Sequence, residues 1–208
     1  MMDSLIGFAV VAGMLTMLPG LDTAQVLRSA TLGGPRMAYA TLAGILGGVF
    51  VWGVGASVGI GALLEASRTA YDALRLAGAG YLLHTGGRIL WDARRPVEST
   101  DFGAGDGKRV GWVTTFARAL IVTLTNPKVG LFYVAMLPPF LPEGVPPVLG
   151  GLVLAGTHNL EAIAWYGALI WGANLAREMF ARPRVRQWME LVSGMALVGF
   201  GLRVAFDR

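Results

Sequence analysis

The sequence predicts an all-α integral membrane protein: six transmembrane helices as two inverted three-helix repeats, with helices 1 and 4 broken at proline. Three observations predict it. The 208 residues are 54% hydrophobic and only 14% charged, at a mean hydropathy of +0.58; a soluble domain carries about 25% charge and about 45–50% apolar residues. Six apolar runs reach the roughly 20 residues that a crossing needs, near 4–32, 36–64, 72–91, 112–141, 147–174 and 188–206. The first and fourth run to about 30 residues, longer than a straight crossing needs, and each is interrupted by proline. The 30 glycines suit closely packed membrane helices. With no cysteine, disulfides, thiolate metal sites and thiol chemistry are excluded. A net charge of +4 gives no reason to expect nucleic acid as a partner. Neither a cofactor nor a metal ion is expected.

The first run opens MMDSLIGF, without a basic segment, and no small-residue cleavage site follows; it reads as a retained helix rather than a signal peptide. Pro19-Gly20 then breaks it, and Asp22 follows. An ionised Asp near the bilayer centre costs about 2.5–3.5 kcal/mol on insertion scales, so something must offset it. In the second run Ala40, Gly44, Gly48, Gly55 and Gly59 fall within about 100° of one another on a helix. Such a stripe serves close packing, either in a homodimer or in seating span two against the broken helices. The third run carries His84, read as a core or interface residue.

Next comes VESTDFGAGDGKR, 97–109, polar, Gly-rich and aperiodic, the composition of a linker. It divides the chain into a first repeat, 1–92, a linker, 93–111, and a second repeat, 112–208, within one membrane domain. Segment 74–91 is echoed by 189–206, and Pro19 and Pro127 are each the sixteenth residue of their spans. Because three is odd, a repeated three-helix unit inserts upside down the second time.

In the fourth run, Asn126-Pro127 interrupts the helix and Lys128 follows. Proline removes a backbone donor and frees a carbonyl four residues back, which in lipid needs a partner; Thr123, Thr125 and Asn126 are near enough to help. Arg118 snorkels to the surface. The fifth run places His158, Asn159 and Glu161 within one turn; His158 and Glu161 share a face. Span five starts near Pro147, which puts Glu161 about 20 Å deep at about 1.5 Å per residue. At that depth it suits proton coupling with His158; the competing reading is a cluster near the outer surface. Trp165 and Tyr166 read as packing or cavity lining.

Loop charges give orientation. Arg28 and Arg36, then Arg94, Arg95, Lys108 and Arg109, then Arg177, Arg182, Arg184 and Arg186 lie on one side; Arg68, Arg75, Arg203 and Arg208 lie on the other. The excess marks the cytoplasm and puts both termini outside.

A broken helix presents a fresh N-terminus, with free amides and the positive end of a dipole, where a carboxylate can dock. Asp22 and Lys128 sit just past two matched breaks, one an anion and the other a cation, and an amino acid zwitterion complements both. Asp22 has a structural reading too, as partner of Lys128 or as a cap of the restarted helix at Thr23. Lys128 has another, snorkelling to the surface, and Asn126 reads as a stabiliser of its break.

The run Pro19-Gly20-Leu21-Asp22-Thr23, the run Thr125-Asn126-Pro127-Lys128 with Leu131-Phe132, and the six-span pattern resemble the LysE/RhtB family of amino acid exporters over essentially the whole chain. Members usually carry Pro-Gly-Pro before the Asp; here Leu21 replaces the second proline, which implies a less rigid break. The resemblance implies a secondary transporter, an antiporter in the bacterial inner membrane, that exports amino acids or close derivatives against protons. Candidate substrate-binding residues are then Pro19, Gly20, Asp22, Thr23, Asn126, Pro127 and Lys128. Asp22, His158 and Glu161 are the candidates for proton coupling. The alternatives are a six-span cation or metal ion transporter and a non-transport membrane subunit; the residues offer no multi-His cluster for the first and only His158 with Glu161 as a catalytic pair for the second.

Overall fold

The computed structural model describes residues 2–94, 111–141 and 144–206, and every element among them is helical. The proposed linker core, 97–109, lies outside the described residues. Helix α1 is Met2–Met17. After the break at Leu18–Gly20 comes α2, Leu21–Ala66, two limbs that meet at Gly34. Gly34 has φ +75°, a conformation that favours glycine, and Pro35 follows without an amide to donate. The limbs fold back on each other. Ser29 Oγ lies 2.7 Å from Thr41 Oγ1, whereas twelve residues of straight helix span about 18 Å.

Ser67 alone joins α2 to α3, Arg68–Asp92, and its hydroxyl caps α3 by accepting from the Ala70 amide. Helices α4, Trp112–Thr125, and α5, Pro127–Phe140, meet at Asn126 with a 57° bend. Then come α6, Pro147–Trp171, α7, Ala173–Ala181, and α8, Pro183–Phe206. The fifth predicted run therefore ends three residues early, and the short α7 was not foreseen.

By length and apolarity, Leu21–Leu63 qualifies as a membrane crossing, and the bent pair Trp112–Thr125 with Lys128–Phe140 qualifies as a second. Many large apolar side chains face outward, among them Val113, Ile121, Leu160 and Leu175. That surface suits lipid and not water. Trp91, Trp112, Trp171 and Trp188 are exposed at helix ends, where aromatic residues meet the headgroup level. His84 is exposed on α3 rather than in the core, and Arg118 is exposed midway along α4.

The main packings are α2 on α4 and α6, and α3 on α8. Helices α3 and α8 cross at glycine: a Cβ on Gly86 would lie 2.8 Å from the Gly194 carbonyl oxygen. The stripe on α2 divides. Gly44 and Gly48 seat α4, whereas Gly55 and Gly59 meet nothing within 4 Å. The cause is the bend at Asn126. Helix α4 ends at Thr125 and α5 leaves at 57°, so the upper stripe stays uncovered.

A Cβ on Gly48 would lie 2.7 Å from the Thr123 side chain. Gly48→Val is therefore expected to cost about 1–3 kcal/mol by overpacking, read as a lower Tm in detergent, while Gly55→Val leaves Tm in place. Equal losses would mean that packing on α4 is not the cause.

Candidate functional site

Both helix breaks open on one cavity. Leu18, Gly20, Leu21 and Asp22 line it from the first break, and Asn126, Lys128 and Val129 from the second. Leu15 and Thr16 of α1, Ile45 and Val49 of α2, and His158, Ala162 and Tyr166 of α6 complete it. The free space is about 30 Å³, room for about two waters.

The two breaks are finished differently. At the second, Asn126 is the N-cap: its Oδ1 accepts from the Lys128 amide at 3.0 Å. The Asn126 carbonyl accepts from Val129 and Gly130 at 3.1 and 3.2 Å. Pro127 has no amide proton. The amides expected to hold a carboxylate after Pro127 are thus already engaged, and Asn126 stabilises its break as read. At the first break the N-cap is Gly20, with no side-chain cap, and Ala24 is the first residue whose amide bonds back, to the Gly20 carbonyl. The uncapped helix start is therefore that of α2, and Lys128 stands beside it. A Cβ on Gly20 would lie 3.7 Å from Lys128 Nζ.

Lys128 does not snorkel. Its ammonium faces the cavity and donates to the Leu15 carbonyl at 3.3 Å. Asp22 does not cap its helix; its Oδ1 is buried and has no hydrogen-bond partner among the described residues. Such an acceptor is costly to leave unmatched. It is also placed to receive a cationic donor from a ligand. Thr23 is fully buried, and Pro19 is half-buried beside the cavity lining rather than in it.

His158 is buried between two helices. Its Nε2 is 2.9 Å from Thr16 Oγ1 and its Nδ1 is 3.0 Å from the Tyr133 hydroxyl. The ring of Phe132 stands edge-on to it at 5.7 Å. Glu161, one turn on, is half-buried outside the cavity lining. Its carboxylate lies 3.6 Å from where a Cβ on Gly13 would be, and Oε2 is buried without a partner among the described residues. Asn159 Nδ2 donates to the Leu46 carbonyl and ties α6 to α2. Trp165 packs against Phe180 while Tyr166 lines the cavity. Thr16 and Tyr133 were not singled out in the sequence. A lone Thr or Tyr in a span carries no signal until its partner is known.

The LysE type translocator family matches residues 14–208. The chain is 28% identical to the leucine efflux protein of Enterobacter sp. (strain 638), over 95% of this chain and 93% of that protein. It is 24% identical to the uncharacterized membrane protein YrhP of Bacillus subtilis (strain 168), over 99% and 100% of the two. It is also 29% identical to the uncharacterized membrane protein PA4757 of Pseudomonas aeruginosa, over 91% and 88%. No solved structure matches the chain. The chain belongs to the LysE type translocator family and is a membrane transporter rather than an enzyme.

Proposed function

We propose that this protein exports neutral aliphatic amino acids from the cytoplasm by alternating access, driven by the proton motive force. The observation that carries the reading is the shared cavity, where two helix breaks bring Asp22 and Lys128 to one space. The ammonium of the substrate meets the unpartnered oxygen of Asp22. Its carboxylate meets Lys128 and the uncapped start of α2, where amides and dipole favour an anion. Leu15, Leu18, Leu21, Ile45, Val49 and Val129 surround the remainder. Among the described residues, Asp22 and Lys128 are the only Asp, Glu, Lys or Arg in the lining, and the zwitterion uses both. An aliphatic side chain suits what is left. The efflux of leucine by relatives agrees with this choice.

The six-crossing, inverted-repeat plan belongs to the same proposal, with units 1–92 and 112–208, the linker in the cytoplasm, both termini outside, and residence in the bacterial cytoplasmic membrane. The two breaks at matched positions of their spans support it. Protonation of Asp22 or Glu161 from the outer side releases the substrate and resets the cycle. The exposed glycines at 55 and 59 would serve a homodimer, if one forms, better than Gly44 and Gly48, which are covered.

The test is efflux from proteoliposomes loaded with labelled leucine, lysine and glutamate under an imposed proton gradient. Leucine should leave and the charged pair should stay. Export of lysine with leucine retained would replace the substrate class, and no export of any amino acid would remove the function.

A further inference from the structure

Three polar side chains from three helices meet at the cavity, and the proposed mechanism uses none of them. Thr16 is on α1, Tyr133 on α5 and His158 on α6, and all three are buried. Their proton arrangement follows from the distances. The Thr16 hydroxyl has one proton, which goes to the Ala12 carbonyl at 2.8 Å. Toward His158 Nε2 it can therefore only accept, so Nε2 carries the hydrogen. In the neutral ring Nδ1 is then bare and accepts from the Tyr133 hydroxyl. The result is one directed chain: Tyr133 to His158 to Thr16 to the Ala12 carbonyl.

The chain joins particular halves of the two broken helices. Thr16 precedes the first break by two residues, at the end of α1, and Tyr133 lies on α5, past the second break. In the proposed orientation both half-helices are on the outer side of the cavity. A second tie runs in parallel, from Lys128 to the Leu15 carbonyl. A substrate carboxylate draws Lys128 away from that carbonyl, and His158 then remains as the fastening between α1 and its neighbours. With the His158 ring neutral, the chain carries no charge. A neutral hydrogen bond is worth little net, so it can open in every cycle, which a buried ion pair resists.

We infer that His158, held by Thr16 and Tyr133, is the latch of the outer gate, a positioning group that keeps α1 and α5 closed over the cavity until substrate has entered. The inference rests on the reading of the cavity as one that opens alternately to each side. Its test needs no transport. The chain has no cysteine, so Val49→Cys, in the cavity wall, reports access through its labelling by a membrane-impermeant thiol reagent added from outside. Thr16→Val and Tyr133→Phe should each raise the outside labelling rate about 3- to 10-fold, the range that losing one such bond allows. Thr16→Ser, which keeps the hydroxyl, should restore the starting rate.

A residue that only supports folding would lower the yield of folded protein and leave the labelling rate of the folded fraction unchanged; that result overturns the latch. Faster labelling from the cytoplasmic side alone overturns its assignment to the outer gate. A reporter that is never labelled in any background overturns the opening cavity itself. A protein that exports nothing but shows faster outside labelling in both variants sinks only the substrate reading and supports the latch.

Discussion

Asp22→Asn is expected to raise the substrate concentration needed for half-maximal efflux by about 10- to 100-fold while leaving the folded protein as stable as before, or more so. The substitution keeps size and shape and removes one negative charge. In the structure Asp22 Oδ1 is buried without a partner among the described residues, so the unliganded protein gains little from the carboxylate and bears its desolvation. The charge becomes favourable when an ammonium arrives. A hydrogen bond to a charged group is worth about 1.5–3 kcal/mol, which corresponds to the stated factor. Efflux kinetics and a melting curve in detergent, taken together, separate the roles. Lost affinity with an unchanged or higher Tm assigns Asp22 to the substrate. A lower Tm with unchanged kinetics makes it structural and moves the search to Lys128 and Glu161.

How far the sequence reached can be seen at particular residues. The two breaks were legible because Pro19-Gly20 and Asn126-Pro127 act on their own backbone; proline loses its donor wherever the chain goes afterwards. That Asp22 and Lys128 would share one cavity was legible for a related reason, since charges in an apolar span must find partners or water. The finish of each break was harder to read. Asn126 ahead of Pro127 is a favourable N-cap and N1 pair, and that signal was present; it means that the helix start left without a side-chain cap is that of α2 and not that of α5. The role of Gly55 and Gly59 was not legible. Periodicity tells which residues share a face, but not how far the neighbouring helix continues along it, and α4 turns away at Asn126. Thr16, Tyr133 and the short α7 were missed because their significance is tertiary. Helix α7 buries Ala176 and Phe180 and exposes Leu175 and Met179, a pattern that reads equally well as the end of a longer span.

Lys128→Gln is expected to have an effect as large as that of Asp22→Asn, and to have it selectively. Lys128 Nζ faces the uncapped start of α2 and donates to the Leu15 carbonyl. If it binds the carboxylate of the substrate, its loss should raise the half-maximal concentration for leucine about 10- to 100-fold, again the value of one charge-assisted hydrogen bond. Leucinamide has the same side chain and ammonium but no carboxylate. Its binding should already be weak in the native protein and should change little in the variant. A helix-supporting lysine would penalise both compounds alike, and so would one that only holds α1 through Leu15. In the double variant with Asp22→Asn the two losses should fall short of their sum, because a substrate released at one end is no longer held in register for the other; residues that share a ligand couple in this way. Full additivity would place the two charges on separate tasks and leave the zwitterion without its second contact.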